Sequence, residues 1–157
     1  MKKKSVLFVC LGNICRSPMA QTVFEKIVSD NGQTDEYLID SAGLGGWHIG
    51  EKADSRMRSH AEKHGYTITH RARQIQKSDF ERFDYIIGMD SQNIEGLHNL
   101  ASIEAQRENI KRMTDFLLLH SSESIPDPYY GGSEDFDHVI DLLEDACNGF
   151  YKTISSA

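Results

Sequence analysis

The stretch VLFVCLGNICRSPMA, residues 6–20, carries the strongest structural signal in this 157-residue chain. Its first four residues are all apolar, as in a parallel strand that is covered on both faces. The apolar run stops at Cys10. Ser17 can then act as the N-cap of a helix, with Pro18 as its first helical residue. We therefore predict a strand that passes through a short loop directly into a helix.

Strand and helix patterns alternate along the rest of the chain. Strands are predicted at residues 5–9, 37–41, 83–89 and 110–113. Helices are predicted from Ser17-Pro18 to residue 30 and at residues 54–64, 90–97, 102–107 and 133–151, the last with apolar residues at helical spacing. This order predicts one α/β domain over residues 1–157 with a parallel sheet. Ligands of such folds bind at the carboxyl ends of the strands, where Cys10, Ser41 and Asp90 are expected.

The composition excludes several classes of protein. The formal net charge of −7 argues against nucleic-acid binding, which favours a basic surface. No stretch approaches the roughly 18 apolar residues of a membrane span. The apolar run after the first lysines has about six residues, too few for a signal peptide. The three cysteines suggest free thiols rather than a disulfide framework. We expect a soluble, cytoplasmic protein.

The loop between the predicted strand and helix has the features of an anion site. Its backbone N–H groups and the helix N-terminus can surround an anion, and the same field favours a thiolate at Cys10. Gly12 and Asn13 tolerate unusual backbone conformations. Arg16 offers a planar fork for two phosphate oxygens, and the Ser17 hydroxyl can donate to the sulfur. This pattern predicts attack by Cys10 on a phosphate monoester, through a covalent thiophosphate.

Such a reaction needs an acid, because a phenolate leaves poorly unless it is protonated: the pKa of a phenol is about 10. Asp127 is a candidate, since Pro126 and Pro128 stiffen its backbone and keep it out of a helix. By position alone, a plain Pro-Asp-Pro turn beside two surface tyrosines explains the pattern equally well.

Taken together, these motifs resemble the low-molecular-weight protein tyrosine phosphatases over essentially the whole chain. The resemblance implies a central four-stranded parallel sheet with helices on both faces, and no metal or organic cofactor. It rests on VCLGNICRSPMA at residues 9–20, DSAG at 40–43, Trp47, HRARQI at 70–75, DYIIGMD at 84–90 and DPYYG at 127–131.

The resemblance also implies a role for each matching residue. Cys10 is the nucleophile, Arg16 binds the phosphoryl oxygens, and Asp127 acts as general acid and then as general base. A supporting network braces the loop and consists of Asn13, Ser17, Ser41 and His70. Without the resemblance, the alternative for His70 is a surface histidine beside Arg71 and Arg73.

The substrate slot implied by the resemblance has aromatic walls. Trp47, Tyr129 and Tyr130 form the walls, and stacking on an aryl ring contributes roughly 0.5–1.5 kcal/mol per pair. Trp47 alone is also explained as a packing residue of its loop, whose glycine-rich segment 44–46 departs from the family and predicts a looser wall. The remaining substrate-binding residues come from the loop after the first strand: Leu11, Gly12, Asn13, Ile14, Cys15 and Ser17.

The resemblance extends to regulation and partners. In the family the second cysteine, here Cys15, can form a disulfide with the nucleophile, although a small packing residue is the plain alternative. The expected partners are phosphotyrosine-containing proteins, with a tyrosine kinase as a further candidate. Tyr129 and Tyr130 match positions that kinases modify in some members. We expect a monomer, with weak self-association through the aromatic residues as an alternative.

Three rival functions are alternatives to this prediction. A thioredoxin-linked arsenate reductase shares the fold and a similar loop, but it needs two relay cysteines, and only Cys147 remains, on the apolar face of the last helix. A non-catalytic phosphotyrosine-binding module would lack the nucleophile or the acid. A metal protein is suggested only by His60 and His64. They are four residues apart, as in His-Glu-x-x-His, but the glutamate between them is one position off, so we interpret both as solvated helix residues.

Overall fold

The computed structural model describes residues 2–155 and has a four-stranded, fully parallel sheet at its centre, in the order β2-β1-β3-β4. The strands are β1 (Lys4–Cys10), β2 (Tyr37–Gly43), β3 (Tyr85–Gly88) and β4 (Ile110–Arg112). The helices are α1 (Arg16–Asp30), α2 (Ser55–Lys63), α3 (Asp79–Arg82), α4 (Ser91–Leu100), α5 (Glu104–Arg107) and α6 (Ser133–Ser155), and short 3-10 turns span Thr34–Glu36 and Met113–Phe116. The predicted α/β fold is confirmed.

The apolar run of β1 is explained by its position in the centre of the sheet. Val6 and Phe8 pack into the larger core cluster, which includes residues of α1, α2 and α6. Leu7 and Val9 face the opposite side and pack into a second cluster with residues of α3 and α4. All four side chains are fully buried. A strand covered on both faces needs an apolar residue at every position.

The strand order determines where a ligand can bind. The chain runs from β1 to β2 on one side and then returns past β1 to place β3 on the other side. Cys10, Gly43 and Gly88 end three adjacent strands at the same edge. Loops that leave this edge diverge at the reversal of strand order, and the crevice between them is the usual ligand site of an open α/β sheet.

The start of α1 differs from the prediction. The helix begins at Arg16, its N-cap position is Cys15, and no side chain caps it. Pro18 is therefore the third helical residue, where its missing N–H still costs nothing because the first-turn amides lack partners within the helix. The prediction of Ser17 as an N-cap is wrong, because its hydroxyl is hydrogen bonded to the Cys10 sulfur instead.

The two histidines of α2 also differ from the prediction. His60 is only 7% exposed, and its ring stacks on Phe136 of α6 at a centroid distance of 5.6 Å. His60 Nδ1 and His64 Nε2 lie 2.8 and 3.2 Å from the same oxygen of Asp137. The interpretation of His60 as a solvated residue is wrong, because it ties α2 to α6. Among residues 2–155, no helix is both long and apolar enough to cross a membrane.

Candidate active site

A cavity of about 290 Å³ opens at the carboxyl edge of the sheet. It brings together most of the residues that the sequence predicts, from three separate parts of the chain. The 10–17 loop forms the floor, the loop after β2 forms one wall, and the segment before α6 forms the other. The lining residues are Cys10, Leu11, Gly12, Ile14, Cys15, Arg16, Trp47, His48, Asp127, Tyr129 and Tyr130. His48 is the only one that was not predicted.

The Cys10 sulfur lies at the end of β1, where Ser17 contacts it twice. The Ser17 backbone N–H donates to Sγ at 3.4 Å, and the Ser17 Oγ lies 2.9 Å from it. Both residues are buried. Asn13 supplies the turn between them with φ +57°, the only positive φ of a non-glycine residue in the described chain. The sulfur at the end of β1 is thus held by an N–H and a hydroxyl of the same residue.

The Asn13 side chain fixes the direction of the Ser17 hydroxyl. Its Nδ2 donates to Ser17 Oγ at 2.7 Å and to Ser41 Oγ at 3.0 Å. Its Oδ1 accepts from the Arg73 backbone N–H at 3.0 Å and lies 2.9 Å from His70 Nε2. Because Ser17 Oγ already accepts a hydrogen bond, its own proton is free to point at Cys10. The four predicted network residues are thus in contact, in a layer behind the cavity.

Burial of His70 disfavours its charged form. The cost of desolvating a charged imidazole lowers the His70 pKa below its ordinary value, against an opposing effect of Asp40. The Nε2 faces an amide oxygen that can only accept, so Nε2 carries the proton. A neutral His70 therefore supports the loop as a hydrogen-bond donor rather than as a charge.

Several residues of this supporting layer have no role in the sequence prediction. Gln21 accepts from Ser41 Oγ at 2.6 Å. Arg73 donates to Asp40 at 2.9 Å and makes a two-pronged pair with the buried Asp79 at 3.0 Å. Asp79 lies six residues beyond Arg73 and Asp40 lies 33 residues before it, so no local sequence pattern links them.

Arg16 is buried beneath the cavity and is held by acceptors from two loops. Its NH1 donates to Asp90 Oδ2 at 2.7 Å and to the Ile125 carbonyl oxygen at 3.0 Å. Despite burial, the negative charge at Cys10 and the bond to Asp90 raise the Arg16 pKa, so the guanidinium stays charged. Asp90 was predicted at this edge of the sheet, but no role was predicted for it.

Asp127 lies at the mouth of the cavity. Its Oδ2 is 3.6 Å from the NH2 of Arg16, and its Oδ1 accepts from the Tyr129 N–H at 3.1 Å. The side chain is 42% exposed. Arg16 therefore lies between the carboxylates of Asp90 and Asp127, and it links the floor of the cavity to the 120s loop.

The aromatic residues form an exposed rim around the cavity. Trp47 is 69% exposed, Tyr130 96% and Tyr129 36%. The Tyr129 and Tyr130 rings meet edge to face at 4.9 Å. A Cβ on Gly45 would lie 1.9 Å from the Trp47 ring, so the indole rests directly on this glycine. The glycine-rich segment thus seats the indole, rather than only loosening the wall.

The other two thiols differ in position. Cys15 lines the cavity, and burial, together with the charges of Asp54 and Cys10, raises its pKa far above the ordinary value. Cys147 is fully buried in α6, and its Sγ contacts the Ala20 carbonyl oxygen at 3.7 Å. A thiol in that position does not reach the cavity, so Cys147 cannot relay oxidation as an arsenate reductase requires.

Comparison with known proteins identifies the family. The family model for low molecular weight phosphotyrosine protein phosphatases matches residues 5–157. This chain belongs to that family. The low molecular weight phosphotyrosine protein phosphatase of Sus scrofa is 40% identical over 154 residues and covers 96% of both chains. A putative low molecular weight protein-tyrosine-phosphatase of Synechocystis is 39% identical, with 95% of each chain covered.

Solved structures agree with this phosphatase in fold. A protein tyrosine phosphatase from Entamoeba histolytica, with Hepes in its active site, superposes with a TM-score of 0.95 at 42% identity over 98% of each chain. A structure described as a Drosophila arginine phosphatase has a TM-score of 0.88 at 32% identity, over 98% of each chain. The chain is thus a protein-tyrosine phosphatase, a class of phosphoric monoester hydrolase.

Proposed function

We propose that this phosphatase hydrolyses phosphotyrosine in proteins through a phosphocysteine on Cys10. The observation that carries this proposal is the meeting of Cys10, Arg16 and Asp127 in one cavity. A nucleophile, a cation for the phosphoryl oxygens and an acid are the three groups that the reaction needs. All three reach the cavity from separate elements of the fold.

In the first step the Cys10 thiolate attacks phosphorus, and the bond from phosphorus to the phenolic oxygen breaks. Asp127, in its protonated form, gives its proton to the leaving oxygen, so tyrosine departs as a phenol. The guanidinium of Arg16 and the backbone N–H groups of the 10–17 loop bind the equatorial oxygens. Arg16 is already charged and already oriented by Asp90, so little reorganisation is needed.

In the second step water attacks the phosphocysteine. Asp127, now a carboxylate, takes a proton from the water, the sulfur–phosphorus bond breaks, and inorganic phosphate forms. Cys10 leaves as a thiolate, which the Ser17 hydroxyl and N–H again stabilise. One carboxyl group thus acts as acid and then as base, and its position at the cavity mouth suits both roles.

The rim supports a preference for aryl phosphates. Trp47, Tyr129 and Tyr130 present aromatic surface on both sides of the cavity, where a tyrosine ring gains stacking contacts. We also propose that Leu11, Gly12, Ile14 and Cys15 complete the substrate site, whereas Asn13 and Ser17, which lie behind the cavity, support the loop that binds the phosphate. A phosphoserine side chain is shorter and lacks the ring.

The cellular setting follows from the chemistry of the substrate. Phosphotyrosine is made by tyrosine kinases, so we propose that a kinase acts opposite this enzyme. Three free cysteines suit a reducing compartment such as the cytoplasm. We retain the prediction of a monomer, with the exposed rim as the surface for weak self-association.

We further propose that peroxide reversibly inactivates the enzyme. The Cys10 thiolate reduces peroxide and becomes a sulfenic acid, and the Cys15 thiol then displaces water to form a disulfide. Both thiols line the same cavity. After peroxide treatment, wild type should regain activity with added thiol, whereas Cys15→Ser should recover less. Equal recovery would remove the protective role of Cys15.

The function is tested by phosphate release from p-nitrophenyl phosphate and from phosphotyrosine, phosphoserine and phosphothreonine peptides, with and without EDTA. A phosphoarginine peptide is included because one structural relative is described as an arginine phosphatase. Wild type should cleave the aryl phosphates selectively and be insensitive to EDTA, and Cys10→Ser should be inactive. Preferred cleavage of phosphoarginine, or activity in Cys10→Ser, would contradict the proposal.

A further inference from the structure

A second groove, of about 470 Å³, adjoins the active-site cavity. The two spaces share three wall residues, Ile14, His48 and Tyr129. A polypeptide whose phosphotyrosine occupies the cavity must leave across its rim, and this groove is one path over the shared wall. The far side of the groove is built from residues 51–55, Arg58 and Arg71.

Three cations line this groove, and carboxylates do not neutralise them. None of the ion pairs within residues 2–155 includes Lys52, Arg58 or Arg71. Arg58 Nε donates to the Ala53 carbonyl oxygen at 2.9 Å, and Arg71 NH1 donates to the Gly50 carbonyl oxygen at 2.9 Å. These bonds orient both guanidinium groups but leave their charge uncompensated. We name Lys52, Arg58 and Arg71 the basic groove.

The two acidic residues of the same groove are already engaged. Glu51 Oε2 lies 3.0 Å from His48 Nδ1. Asp54 accepts from the Arg56 side chain and from two backbone N–H groups at the start of α2. Although burial opposes its charge, these bonds lower the pKa of Asp54. The charge of Asp54 is thus balanced by Arg56, and the three cations of the basic groove outnumber the one remaining carboxylate, Glu51.

Two of the cations face each other across a strand-like pairing. Lys52 and Arg71 form an isolated antiparallel bridge, which places them directly opposite one another. Like charges in that arrangement destabilise the pairing. The chain as a whole has a formal charge of −7, so this concentration of positive charge runs against its composition. An anion in the groove would relieve the repulsion.

We propose that the basic groove binds acidic side chains that flank the phosphotyrosine of a protein substrate. The preferred substrates are then phosphotyrosine segments rich in Asp or Glu, and the groove sets this preference while Cys10 performs the chemistry. This inference rests on the proposed function. A positive groove beside the cavity also attracts acidic substrates to an otherwise acidic protein, which raises the association rate at low salt.

The test compares phosphotyrosine peptides that differ only in flanking charge. One set carries Glu at single positions from four residues before to four residues after the phosphotyrosine, and the matched set carries Gln. For wild type, kcat/KM for the best acidic peptide should exceed that of its Gln counterpart by about two- to fivefold, as expected for one exposed charge pair. The ratio should fall towards one in high salt.

Variants then assign the preference to the groove. The Lys52→Gln/Arg71→Gln double variant should bring the Glu-to-Gln ratio close to one, and Lys52→Glu should reverse it. Arg71→Lys keeps the charge but loses the forked group, so it should retain the preference and show that charge rather than loop structure is responsible. Lys77→Gln/Lys111→Gln is the matched control, because both lysines are exposed and line neither cavity.

The failures of the two proposals are distinguishable. Equal kcat/KM for Glu and Gln peptides in wild type would overturn the groove proposal, even with full activity on p-nitrophenyl phosphate. A preference that survives in the double variant and in Lys52→Glu would also overturn it. By contrast, loss of the proposed function would appear as hydrolysis that persists in Cys10→Ser, whatever the flanking charge.

Discussion

The floor and the rim of the active-site cavity are built in opposite ways. In the floor, the 10–17 loop is buried except at Leu11 and Gly12, and Asn13 alone makes four hydrogen bonds to neighbouring groups. In the rim, Trp47 and Tyr130 are largely exposed, and none of their side-chain polar atoms has a hydrogen bond with another described residue. The positions of the proposed reacting groups are thus fixed by a buried network. The rim is held by few contacts: the Tyr129 and Tyr130 rings meet edge to face, and the Trp47 ring rests on Gly45.

This difference separates chemistry from substrate choice. A preorganised floor keeps N–H groups and a cation where charge develops in the transition state. An exposed rim can change its side chains at little cost in stability, because surface substitutions usually change stability by less than about 0.5 kcal/mol. Asp127 is the exception, because it lies at the mouth but is tied to Arg16 of the floor at 3.6 Å.

The largest effect on activity is expected from a substitution of Asp127. Asp127→Ala removes the acid for the leaving group and should lower kcat for a phosphotyrosine peptide by about 10²- to 10³-fold. The loss should be smaller for p-nitrophenyl phosphate, whose phenolate leaves without much protonation. Steady-state kinetics on both substrates provide the measurement. Equal losses on the two substrates would mean that Asp127 does not act as the acid.

The second prediction compares the stability of floor and rim directly. Asn13→Ala removes four hydrogen bonds and places alanine at a positive φ, so it should lower the free energy of unfolding by about 2–4 kcal/mol. Tyr130→Ala should change it by less than about 0.5 kcal/mol. Urea denaturation measures both.

Asn13→Gly is the matched control for the backbone. Glycine accepts the positive φ but restores none of the hydrogen bonds, so its stability should lie between those of wild type and Asn13→Ala. If Asn13→Ala and Tyr130→Ala cost the same, the contrast between a fixed floor and a loose rim would be wrong.

The third prediction concerns the seat of the indole. A methyl group at residue 45 would overlap the Trp47 ring, so Gly45→Ala should displace the indole. KM for a phosphotyrosine peptide should rise by about threefold to tenfold, with a smaller change in kcat, since a lost ring contact is worth roughly 0.5–1.5 kcal/mol. Trp47 is the only tryptophan, so its fluorescence reports the displacement. An unchanged emission spectrum together with an unchanged KM would show that Gly45 does not seat the ring.

The smallest effect is a pH dependence of stability from His70. Burial lowers its pKa, so the unfolded chain binds more protons than the folded chain as the pH falls below about 6.5. Stability should therefore fall as the pH drops through the ordinary pKa towards the lowered one. The glutamine of His70→Gln cannot be protonated. The slope of the free energy of unfolding against pH, measured by urea titrations at pH 5–8, should therefore lack this contribution in the variant. Identical slopes in the two proteins would assign the acid sensitivity to other groups.

Local patterns predicted much of the architecture. The buried strand β1, the parallel sheet and the long helix α6 follow from apolar runs and spacing, and the observed strand and helix ends mostly lie within a few residues of the predicted ones. Cys10 was placed at the end of β1 because an apolar run stops there. These features are determined by residues that are close together in the chain, so they can be predicted from a single sequence.

Features that depend on distant partners were missed. Ser17 looked like a helix cap, but the sulfur of Cys10 competes for its hydroxyl, and that contact exists only once the loop has folded. The sequence pattern of His60 is that of a solvated helix residue, but the residue is buried because α6 packs on α2. The hydrogen bond from Arg16 to Asp90 joins residues 74 positions apart, and no short sequence motif predicts it.

The central claim is that the buried floor performs covalent chemistry on Cys10. The most direct measurement is rapid quenching of Asp127→Ala during turnover of p-nitrophenyl phosphate, followed by proteolysis and mass spectrometry of the peptide that contains residues 10–16. We predict that a phosphate adduct accumulates on Cys10, because its formation from p-nitrophenyl phosphate needs little acid catalysis, whereas loss of the general base slows hydrolysis of the intermediate. Turnover without any adduct on Cys10, or with the phosphate on another residue, would contradict the account.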